Sequence, residues 1–492
     1  MFRTNYLTAK LNLRLAVSVA FVGLLVLLPG TVWAGGFTVK VPPPNGVDDT
    51  ANIQAALDAC VASGKTCTVQ LAAGNYRTSQ LVEYNFRGTF KGMGMNSTTI
   101  EALPNLTVSL PDAAVYGECL PNTTTCLWPS LIIFVDGNIH VSDLSIRVTA
   151  PPGTATSGWT IFGLGISSLL DGLRFMGQHP TDVTIDRISI EGLPDNSPNS
   201  FGMVVGFGVG FNVVNEIIYT GELPRSSTPF DYYFMTGSLT VRNSSFKMAI
   251  DGVSQDGFLQ SSQIVVGGSP ATGNHFENLY VGMDMEGSES STFDISYNIS
   301  SGIYAGMWVI PWQPVFVPTS GSRYLIHDNQ FSATGQHGEG IFLDDNATNP
   351  WIHAAAWNNT VELQDTLSEG IGVYNTKGTA VWNNSVTGSD GTDGIGLWST
   401  TLDAVANNNV SGFTVDNTAG LAQIYLDPST TSDLVVCAER SDTVLNQGTN
   451  NANIGCEHST ASTASAEDSR SAARAASASR RSLPRQKSLM PH

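Results

Sequence analysis

The sequence predicts an all-β solenoid, a parallel β-helix of short stacked strands, and three observations predict it. A Gly-rich strand pattern repeats, because the run Gly370–Tyr374 returns as Gly394–Trp398 and an earlier copy begins at Gly340. An Asn-x-apolar unit recurs at Asn329, Asn359, Asn384 and Asn408. The units hold alternating or β-branched runs separated by Gly, Asn, Asp and Ser, which are strand and turn signals without a helical period.

The repeat length favours a β-helix over other repeat folds. The Asn units are 30, 25 and 24 residues apart, and a unit of this size cannot bury its own apolar face unless neighbouring units stack on it. A leucine-rich repeat would need a regular Leu pattern, and a propeller blade would need four strands in about 40 residues or more. Asn tolerates left-handed turn conformations, and its amides can stack in a ladder, so we expect an Asn column along the solenoid axis.

Residues 46–80 are predicted to cap the first rung. The segment Asp48–Cys60 has the pattern of an amphipathic helix with Asp49 or Thr50 near its start, and the segments Thr68–Leu71 and Gly74–Tyr76 follow as strand and turn. This D-D-T-x-x-I-Q-x-A, then V-x-L-x-x-G-x-Y, closely resembles the N-terminal cap of the pectin-lyase-like right-handed parallel β-helix superfamily. The resemblance implies that fold over the cap and rungs. It leaves the reaction open, because the superfamily includes lyases, hydrolases, epimerases and adhesins.

Both ends of the chain differ from the repeat. Residues 1–34 are predicted to be a secretory signal, since a basic start precedes the apolar run Leu15–Leu28 and a small residue, Ala34, precedes a plausible cut. An uncleaved N-terminal anchor is the alternative. Residues 457–492 are rich in Ser, Ala and Arg and are predicted to be a disordered tail. The domain between them, residues 35–456, would hold rungs to about residue 436 and a C-terminal end clipped by a disulfide.

The six cysteines lie in three close pairs. An even count in an exported chain predicts local disulfides. Metal binding is the weaker alternative because no C-x-x-C spacing occurs, and we predict no metal ligands here. The expected pairs are Cys60 with Cys67, Cys119 with Cys126, and Cys437 with Cys456.

The charge excludes several classes of partner. The chain has a net charge of −19, and without its two ends it keeps 14 basic and 39 acidic residues, or about −25. Such a body does not neutralise phosphates, so we expect no nucleic-acid partner.

No second apolar stretch reaches membrane length, so we expect no membrane span after signal removal. The predicted location is therefore secreted, periplasmic or cell-surface, and the sequence does not define an oligomeric state.

A set of acidic residues supplies the candidate catalytic groups. Aligning Gly282–Glu286 over Gly302–Gly306 and Gly340–Asp344 places alternate side chains on the outer face. Asp284 and Glu286 would then be roughly 7 Å apart, and Glu286 and Asp344, two rungs apart, roughly 10 Å apart. Glycosidases need paired carboxylates about 5 Å apart if retaining and about 6.5–9.5 Å apart if inverting. Solvated acids on an exposed sheet are the alternative. The candidate catalytic residues are Asp284, Glu286, Asp344, Asp345 and, as an auxiliary group, His337.

Aromatic residues supply the candidate binding platforms for sugar rings. The same alignment predicts that Tyr304, Tyr374 and Trp398 lie on the outer face, and a Pro-rich loop would present Trp308 and Trp312 beside the acids. Trp357 and Trp382 occupy equivalent places in their rungs and are predicted to form a packed stack instead.

The favoured function is glycoside hydrolysis on an extracellular polysaccharide, with two alternatives. One is a non-catalytic, adhesin-like glycan-binding protein. The other is a Ca²⁺-dependent polysaccharide lyase, although the expected base is scarce: Arg323 and Lys377 are the only Lys or Arg residues between positions 250 and 436. A Gly-His-Gly around His337 and the pair Asp344 and Asp345 resemble motifs of polygalacturonase-like hydrolases, but here the His precedes the Asp pair, which is the reverse of the order in that family. No cofactor is expected, with bound Ca²⁺ left open because four of the acids could hold it through oxygen atoms.

Overall fold

The computed structural model describes most of the chain from Gly36 to Ser459. The described residues are 36–103, 130–147, 162–167, 181–191, 209–211, 237–255, 261–286, 290–310, 321–334, 338–345, 352–364, 368–388, 393–413, 422–439 and 442–459. The predicted signal, almost all of the predicted tail and the pair Cys119 and Cys126 lie outside them. No helix in these ranges is long and apolar enough to cross a membrane.

The described residues form one α-helix, α1 (Thr50–Ala62), and 32 strands. The strands before residue 237 are β1 (Phe37–Lys40), β2 (Cys67–Gln70), β3 (Gly74–Thr78), β4 (Leu81–Lys91), β5 (Thr98–Ala102), β6 (Ser130–Arg147), β7 (Phe162–Ser167), β8 (Thr181–Glu191) and β9 (Val209–Phe211). The next ten are β10 (Gly237–Arg242), β11 (Ser245–Gln255), β12 (Gln263–Gly267), β13 (His275–Glu286), β14 (Thr292–Ser296), β15 (Ile299–Ile303), β16 (Ala305–Ile310), β17 (Ser322–His327), β18 (Gln330–Ala333) and β19 (Glu339–Asp344). The last are β20 (Ile352–Trp357), β21 (Thr360–Leu363), β22 (Glu369–Tyr374), β23 (Ala380–Trp382), β24 (Ser385–Thr387), β25 (Asp393–Trp398), β26 (Ala404–Ala406), β27 (Asn409–Ser411), β28 (Ala422–Leu426), β29 (Leu434–Val436), β30 (Thr443–Asn446), β31 (Ala452–Ile454) and β32 (Glu457–Ser459).

The strands stack as a right-handed parallel β-helix, which confirms the predicted fold. Every strand pairing is parallel, and each strand pairs with its equivalent in the next rung. In the C-terminal half the rungs supply three sheets in turn. The first sheet contains β14, β17, β20, β23, β26, β29 and β31; the second contains β15, β18, β21, β24 and β27; the third contains β16, β19, β22, β25, β28, β30 and β32. Because β32 pairs in the third sheet, the rungs continue three residues into the segment predicted as tail.

The apolar core fills the space between the three sheets. The side chains predicted to point inward from the third sheet are all fully buried: Met283, Met285, Ile341, Leu343, Ile371, Val373, Ile395 and Leu397. Helix α1 closes the N-terminal end of this core with its buried residues Ile53, Leu57 and Cys60. The helix begins at Thr50, directly after Asp49, as predicted.

The predicted Asn column is present and longer than expected. In each step, the side-chain oxygen of one Asn accepts hydrogen bonds from the backbone N–H and the side-chain amide of the Asn one rung before, at 2.8–3.2 Å. The residue before each of the last five members has a positive φ, as at Asn358 and Asn383. One residue therefore makes the left-handed turn, and the Asn that follows it makes the ladder hydrogen bonds. The column contains Asn274, Asn298, Asn329, Asn359, Asn384 and Asn408.

A second buried ladder closes the corner between the third and first sheets. Asp403 accepts the backbone N–H of Thr379 at 2.8 Å and a hydroxyl hydrogen bond from Thr376, and Asp433 accepts the N–H of Asp403 at 2.9 Å. Burial raises the pKa of Asp403 to about 7, and burial also raises the pKa of Asp433. Burial disfavours the ionised carboxyl of Asp403, whereas the hydrogen bonds from Thr376 and Thr379 partly offset this effect on its pKa.

Two predicted disulfides are confirmed. Cys60 at the end of α1 bonds Cys67 at the start of β2, which fastens the cap to the first rung. Cys437 bonds Cys456 and ties the last two rungs together. The predicted ring stack is confirmed too, since Trp357 and Trp382 are parallel with ring centroids 5.0 Å apart.

Candidate functional site

The candidate site lies on the outward surface of the third sheet, where strands β13, β16, β19, β22 and β25 follow one another. We call this surface the acid–aromatic face. Pairing registers arrange its residues in columns, with successive members one rung, about 4.8 Å, apart. One column contains Glu339, Glu369 and Asp393; the second contains Asp284, Trp308, Phe342, Gly372 and Gly396; the third contains Glu286, Ile310, Asp344, Tyr374 and Trp398.

Trp308 lies in a strand of this face, and the prediction that it lies on a Pro-rich loop is wrong. Strand β16 runs to Ile310, so Trp308 is in register between Asp284 and Phe342. Its indole N–H donates a 2.7 Å hydrogen bond to Glu339 Oε2 in the following rung. The partly exposed indole therefore lies between Asp284 and Glu339, of which the sequence predicted only Asp284 as a site residue.

Glu369 accepts hydrogen bonds from two aromatic side chains of the face. Its Oε2 accepts a 2.6 Å hydrogen bond from the Tyr374 hydroxyl, and its Oε1 accepts a 3.0 Å hydrogen bond from the Trp398 indole N–H. The carboxylate lies over Gly372 and Gly396, because a Cβ at either glycine would collide with it. The two glycines thus leave the space that Glu369 fills, and its two donors fix its orientation.

Asp344 ends strand β19, Asp345 follows it, and the two have different surroundings. Asp344 accepts a 2.8 Å hydrogen bond from the side-chain amide of Asn375 in the next rung. Asp345 is 2% exposed, and its Oδ2 accepts the backbone N–H of Ile352 at 2.8 Å. This bond holds the first residue of β20, so Asp345 has a structural contact where the sequence predicted a catalytic group.

Tyr304 and Trp398 are buried, and the prediction that they are exposed platforms is wrong. Tyr304 is 8% exposed and precedes β16, where it packs with Val281 beneath Trp308. The alignment failed because it took Gly302–Gly306 for the third-sheet strand, whereas Ile303 ends β15 in the second sheet. Trp398 does occupy the outer column, but it is 6% exposed because Tyr374 and Tyr425 pack on its two sides.

The remaining predicted residues divide into described and undescribed groups. Asp284 is partly exposed and lies in register with Trp308, and Tyr374 is partly exposed beside Trp398. Glu286 ends β13 in register with Ile310, which places it two rungs from Asp344 as predicted. Its side chain, His337 and Trp312 lie outside what the structure describes.

Sequence reasoning missed three acids of the first column. Glu339 and Glu369 are partly exposed, whereas Asp393 is fully buried and its Oδ1 accepts the backbone N–H of Ala422 at 3.3 Å. The missed signal is an acid-Gly-Ile triplet that starts β19, β22 and β25 at the same register. Our alignment began at the glycine of each triplet and so omitted the residue before it.

Metal ligands and basic residues are scarce in the described part of this face. No group of three or more His, Cys, Asp or Glu side chains there could hold a metal ion. The described segments that form the face, 281–286 and strands β16, β19, β22, β25 and β28, contain no Lys or Arg. The acidic residues therefore give this surface a negative potential.

Comparison with known proteins finds likeness at the level of the fold. No protein-family model and no curated protein sequence matches the chain. Among solved structures, it is similar to the A-module of a mannuronan C-5 epimerase from Azotobacter vinelandii, with 15% identity, a TM-score of 0.42, and coverage of 85% of this chain and 97% of that one. It is also similar to a DFA-IIIase from Arthrobacter chlorophenolicus, with 11% identity, a TM-score of 0.47 and coverage of 82% and 95%. An α-1,3-glucanase catalytic unit from Streptomyces thermodiastaticus has 14% identity, a TM-score of 0.45 and coverage of 86% and 69%.

The fold of this chain resembles that of the pectin-lyase-like right-handed parallel β-helix superfamily. The cap helix, the three parallel sheets and the Asn ladder of the structure all fit the fold that the sequence motif of the cap implied. Function depends on the site and not on the fold.

Proposed function

We propose that the protein is an exported carbohydrate-active enzyme that hydrolyses glycosidic bonds of an extracellular polysaccharide on the acid–aromatic face. One observation carries the proposal: Glu339 and Glu369 are partly exposed and in register on adjacent rungs, and Glu339 accepts a hydrogen bond from the partly exposed indole of Trp308. Paired carboxylates next to an aromatic surface are the groups that glycoside hydrolysis requires.

The contacts of the two glutamates suggest different roles. Both oxygens of Glu369 accept hydrogen bonds from donors, an arrangement suited to an ionised carboxylate that acts as nucleophile or base. The general acid must carry a proton to the leaving oxygen, so this role falls to Glu339. Their backbones are about 4.8 Å apart, but Glu339 contacts Trp308 in the rung before its own and Glu369 contacts Trp398 in the rung after its own, so the backbone spacing does not give the separation of the two carboxyl groups.

Three acids predicted from the sequence stay as a second candidate set. Asp284 and Glu286 are two residues apart on β13, roughly 7 Å between backbones, and Asp344 follows two rungs beyond Glu286. The geometry of this second set is closer to the inverting requirement of about 6.5–9.5 Å. Replacing each acid by its amide and measuring the loss of activity separates the two candidate sets.

A depolymerisation screen tests the proposal. The full chain is incubated with neutral, acidic and amino-sugar polysaccharides, and new reducing ends are measured. We expect activity in the wild type and a loss of about 100-fold or more in Glu369→Gln and Glu339→Gln, because each removes one required group. Glu362→Gln is the matched control, since Glu362 is exposed on β21 in the second sheet. Full activity in both site variants would exclude this pair as the acid and nucleophile.

Binding without cleavage is the second candidate function. It is favoured by the burial of Phe342 and Trp398, which makes part of the acid–aromatic face a packed surface and gives the hydrogen bond from Trp398 to Glu369 a structural use. Glycan binding with no product across a broad panel would support this adhesin-like function. Unsaturated products that require Ca²⁺ and disappear with a chelator would instead identify a lyase.

Export is inferred from the signal-like residues 1–34 and fits the two disulfides, because such bonds persist in oxidising compartments. Mass spectrometry of the protein recovered outside the cytoplasm should find Gly35 at its N-terminus. A mature chain that begins at Met1 would support the uncleaved anchor.

A further inference from the structure

The last five strands of the first sheet carry two apolar columns on their outward surface. One column contains Ala355, Ala380, Ala404, Leu434 and Ala452; the other contains Trp357, Trp382, Ala406, Val436 and Ile454. Every one of these side chains is at least partly exposed, and none is charged, although the body of the chain carries about −25. An uncharged partner therefore suits this surface better than an ionic one.

A stack of aromatic rings runs along the second column and ends at Trp382. The ring centroids of His327 and Trp357 are 4.3 Å apart, and those of Trp357 and Trp382 are 5.0 Å apart. The rings are nearly parallel, with interplanar angles of 14° and 5°. Because Trp357 covers one face of the Trp382 indole, the opposite face is directed toward the next rung, where the register places Ala406.

The methyl group of Ala406 is too small to continue this stack. Two rungs, about 9.6 Å, separate the backbones of Trp382 and Val436, which are the next large residues of the column. A ring in contact with the indole would lie about 4 Å from it, at the level of Ala406. The surface therefore has space for one ring, with Trp382 and Val436 as walls and Ala406 as the floor, and we call this space the Trp382 notch.

Short turns leave the notch open at the corner between the first and second sheets. The three turns that follow β20, β23 and β26 are residues 358–359, 383–384 and 407–408, each of two residues and each described in full. Within these three rungs, no loop extends from this corner over the notch.

Two side-chain amides lie at the same corner. Asn383 follows Trp382, Asn407 follows Ala406, and both are exposed. Both adopt the left-handed backbone conformation, and their backbone N–H groups donate hydrogen bonds to the carbonyl oxygens of Ala406 at 3.0 Å and Val436 at 2.8 Å. Each exposed amide has donor and acceptor atoms for the hydroxyl groups of a ligand.

We propose that the Trp382 notch binds one pyranose ring of a neutral polysaccharide with equatorial substituents, a β-1,4-linked glucan. Such a ring has axial C–H groups on its faces, which pack on an indole, and hydroxyl groups around its rim, which can bond Asn383 and Asn407. The bound ring extends the stack of His327, Trp357 and Trp382 by one further member. The notch lies on the first sheet and the acid–aromatic face on the third, so this binding is independent of the proposed hydrolysis.

Charge disfavours the other occupants of an apolar sheet. A second copy of the chain would bring together two bodies of about −25 each. An anionic lipid surface or a polyuronate would meet the same repulsion. A neutral glucan meets none, and it gains the contact with Trp382.

Calorimetric binding to the full chain tests the proposal, with cellohexaose and an oligogalacturonate of the same length as probes. We expect cellohexaose to bind and the oligogalacturonate to bind at least about ten-fold more weakly. The titration is repeated in Trp308→Ala, which removes the exposed indole of the acid–aromatic face, and cellohexaose binding should persist there.

Variants of the notch connect binding to the open indole face. In the Trp308→Ala background, Trp382→Ala should weaken cellohexaose binding by about ten-fold or more, because it removes the stacking surface. Ala406→Trp keeps Trp382 but fills the notch with a further ring, and it should weaken binding as much. Thermal unfolding of each variant checks its fold, and Ala406→Trp decides the matter if Trp382→Ala does not fold. Glu362→Gln on the second sheet is the control and should leave binding unchanged.

The outcomes separate this site from the acid–aromatic face. Glu339→Gln and Glu369→Gln, which test hydrolysis, should leave binding at the notch unchanged. No binding of cellohexaose, loss of its binding in Trp308→Ala, or full affinity in Ala406→Trp would overturn the proposal. A wild-type dimer that Ala406→Trp dissociates in analytical ultracentrifugation would assign the surface to a second copy and overturn it too.

Discussion

Substituting Gly372 by Ala tests whether the position of Glu369 is set by the space above the two glycines. A Cβ at residue 372 would be 2.7 Å from Glu369 Oε2 and 2.8 Å from Tyr374 Cε2, whereas ordinary contacts begin at 3.4 Å. Both groups must therefore retreat by about 0.7 Å, the difference between these distances. They are the two partners of the 2.6 Å hydrogen bond, so the substitution acts on both ends of one interaction.

The magnitude follows from the type of bond. A hydrogen bond to a charged group contributes about 1.5–3 kcal/mol, and we expect Gly372→Ala to lower the free energy of unfolding by about 2 kcal/mol. Displacing a catalytic group by about 1 Å can cost about 100-fold in rate, so hydrolysis by the variant should fall by a similar factor. Gly36→Ala is the control, because a Cβ at Gly36 meets no atom within 4 Å, and its unfolding free energy should change by less than about 0.5 kcal/mol.

A double-mutant cycle with Tyr374→Phe isolates the hydrogen bond. Denaturant unfolding is measured for the wild type, each single variant and the pair. If Gly372→Ala already breaks the bond, then removing the hydroxyl from that variant should cost almost nothing, and the coupling free energy should approach about 2 kcal/mol. Additive effects, with a coupling below about 0.5 kcal/mol, would refute the argument that the glycine protects the Tyr374–Glu369 contact.

Three further predictions concern the scaffold. Asn359→Ala should lower the free energy of unfolding by about 3 kcal/mol, because it leaves several buried ladder groups without partners, whereas Asn358→Gly at the adjacent left-handed residue should be nearly neutral. A small effect of Asn359→Ala in urea unfolding would contradict a stabilising role for the ladder. Because burial raises the pKa of Asp403 from 3.8 to about 7, the stability it contributes is full below about pH 4 and is lost as the pH rises through 7, by at most about 4 kcal/mol. Asp403→Asn should flatten this loss between about pH 5 and 8 in thermal unfolding, and an unchanged slope would show that other groups cause it. Replacing Cys437 and Cys456 by Ser should lower the free energy of unfolding by about 3 kcal/mol relative to the oxidised wild type, as measured by urea unfolding without reductant.

The sequence was sufficient for the fold because its strongest signals are local and repeated. In each Asn-Asn pair the two residues have different roles. Asn383, for example, adopts the left-handed turn conformation, and Asn384 forms the hydrogen bonds of the ladder. The alternation of apolar residues around Ile371 and Val373 predicted the buried face equally well, because one face of a strand packs on the core and the other faces outward. Because side-chain direction repeats every two residues along a strand, the apolar positions determine which residues point inward.

The site was harder to predict because register and exposure depend on neighbouring rungs. Gly302-Ile303 has the same letters as the true third-sheet starts, yet it ends a strand of the second sheet, and this moved Tyr304 into the wrong column. Trp398 was placed in the correct column, but its burial results from Tyr425 one rung later. Neither fact is visible in a single repeat, because each is a property of two stacked repeats.

One column of acids shows how the stacking of rungs buries one acid and leaves two others accessible from the outer face. Glu339, Glu369 and Asp393 begin equivalent strands with the same acid-Gly-Ile pattern, so the sequence alone treats them alike. Asp393 has the shorter side chain, is fully buried and accepts a backbone N–H from the next rung. The glutamates extend to donors on the outer face, where they stay partly exposed. Lengthening the buried acid by Asp393→Glu should therefore destabilise the rung without adding activity, whereas shortening Glu369 to Asp should remove activity with a smaller loss of stability.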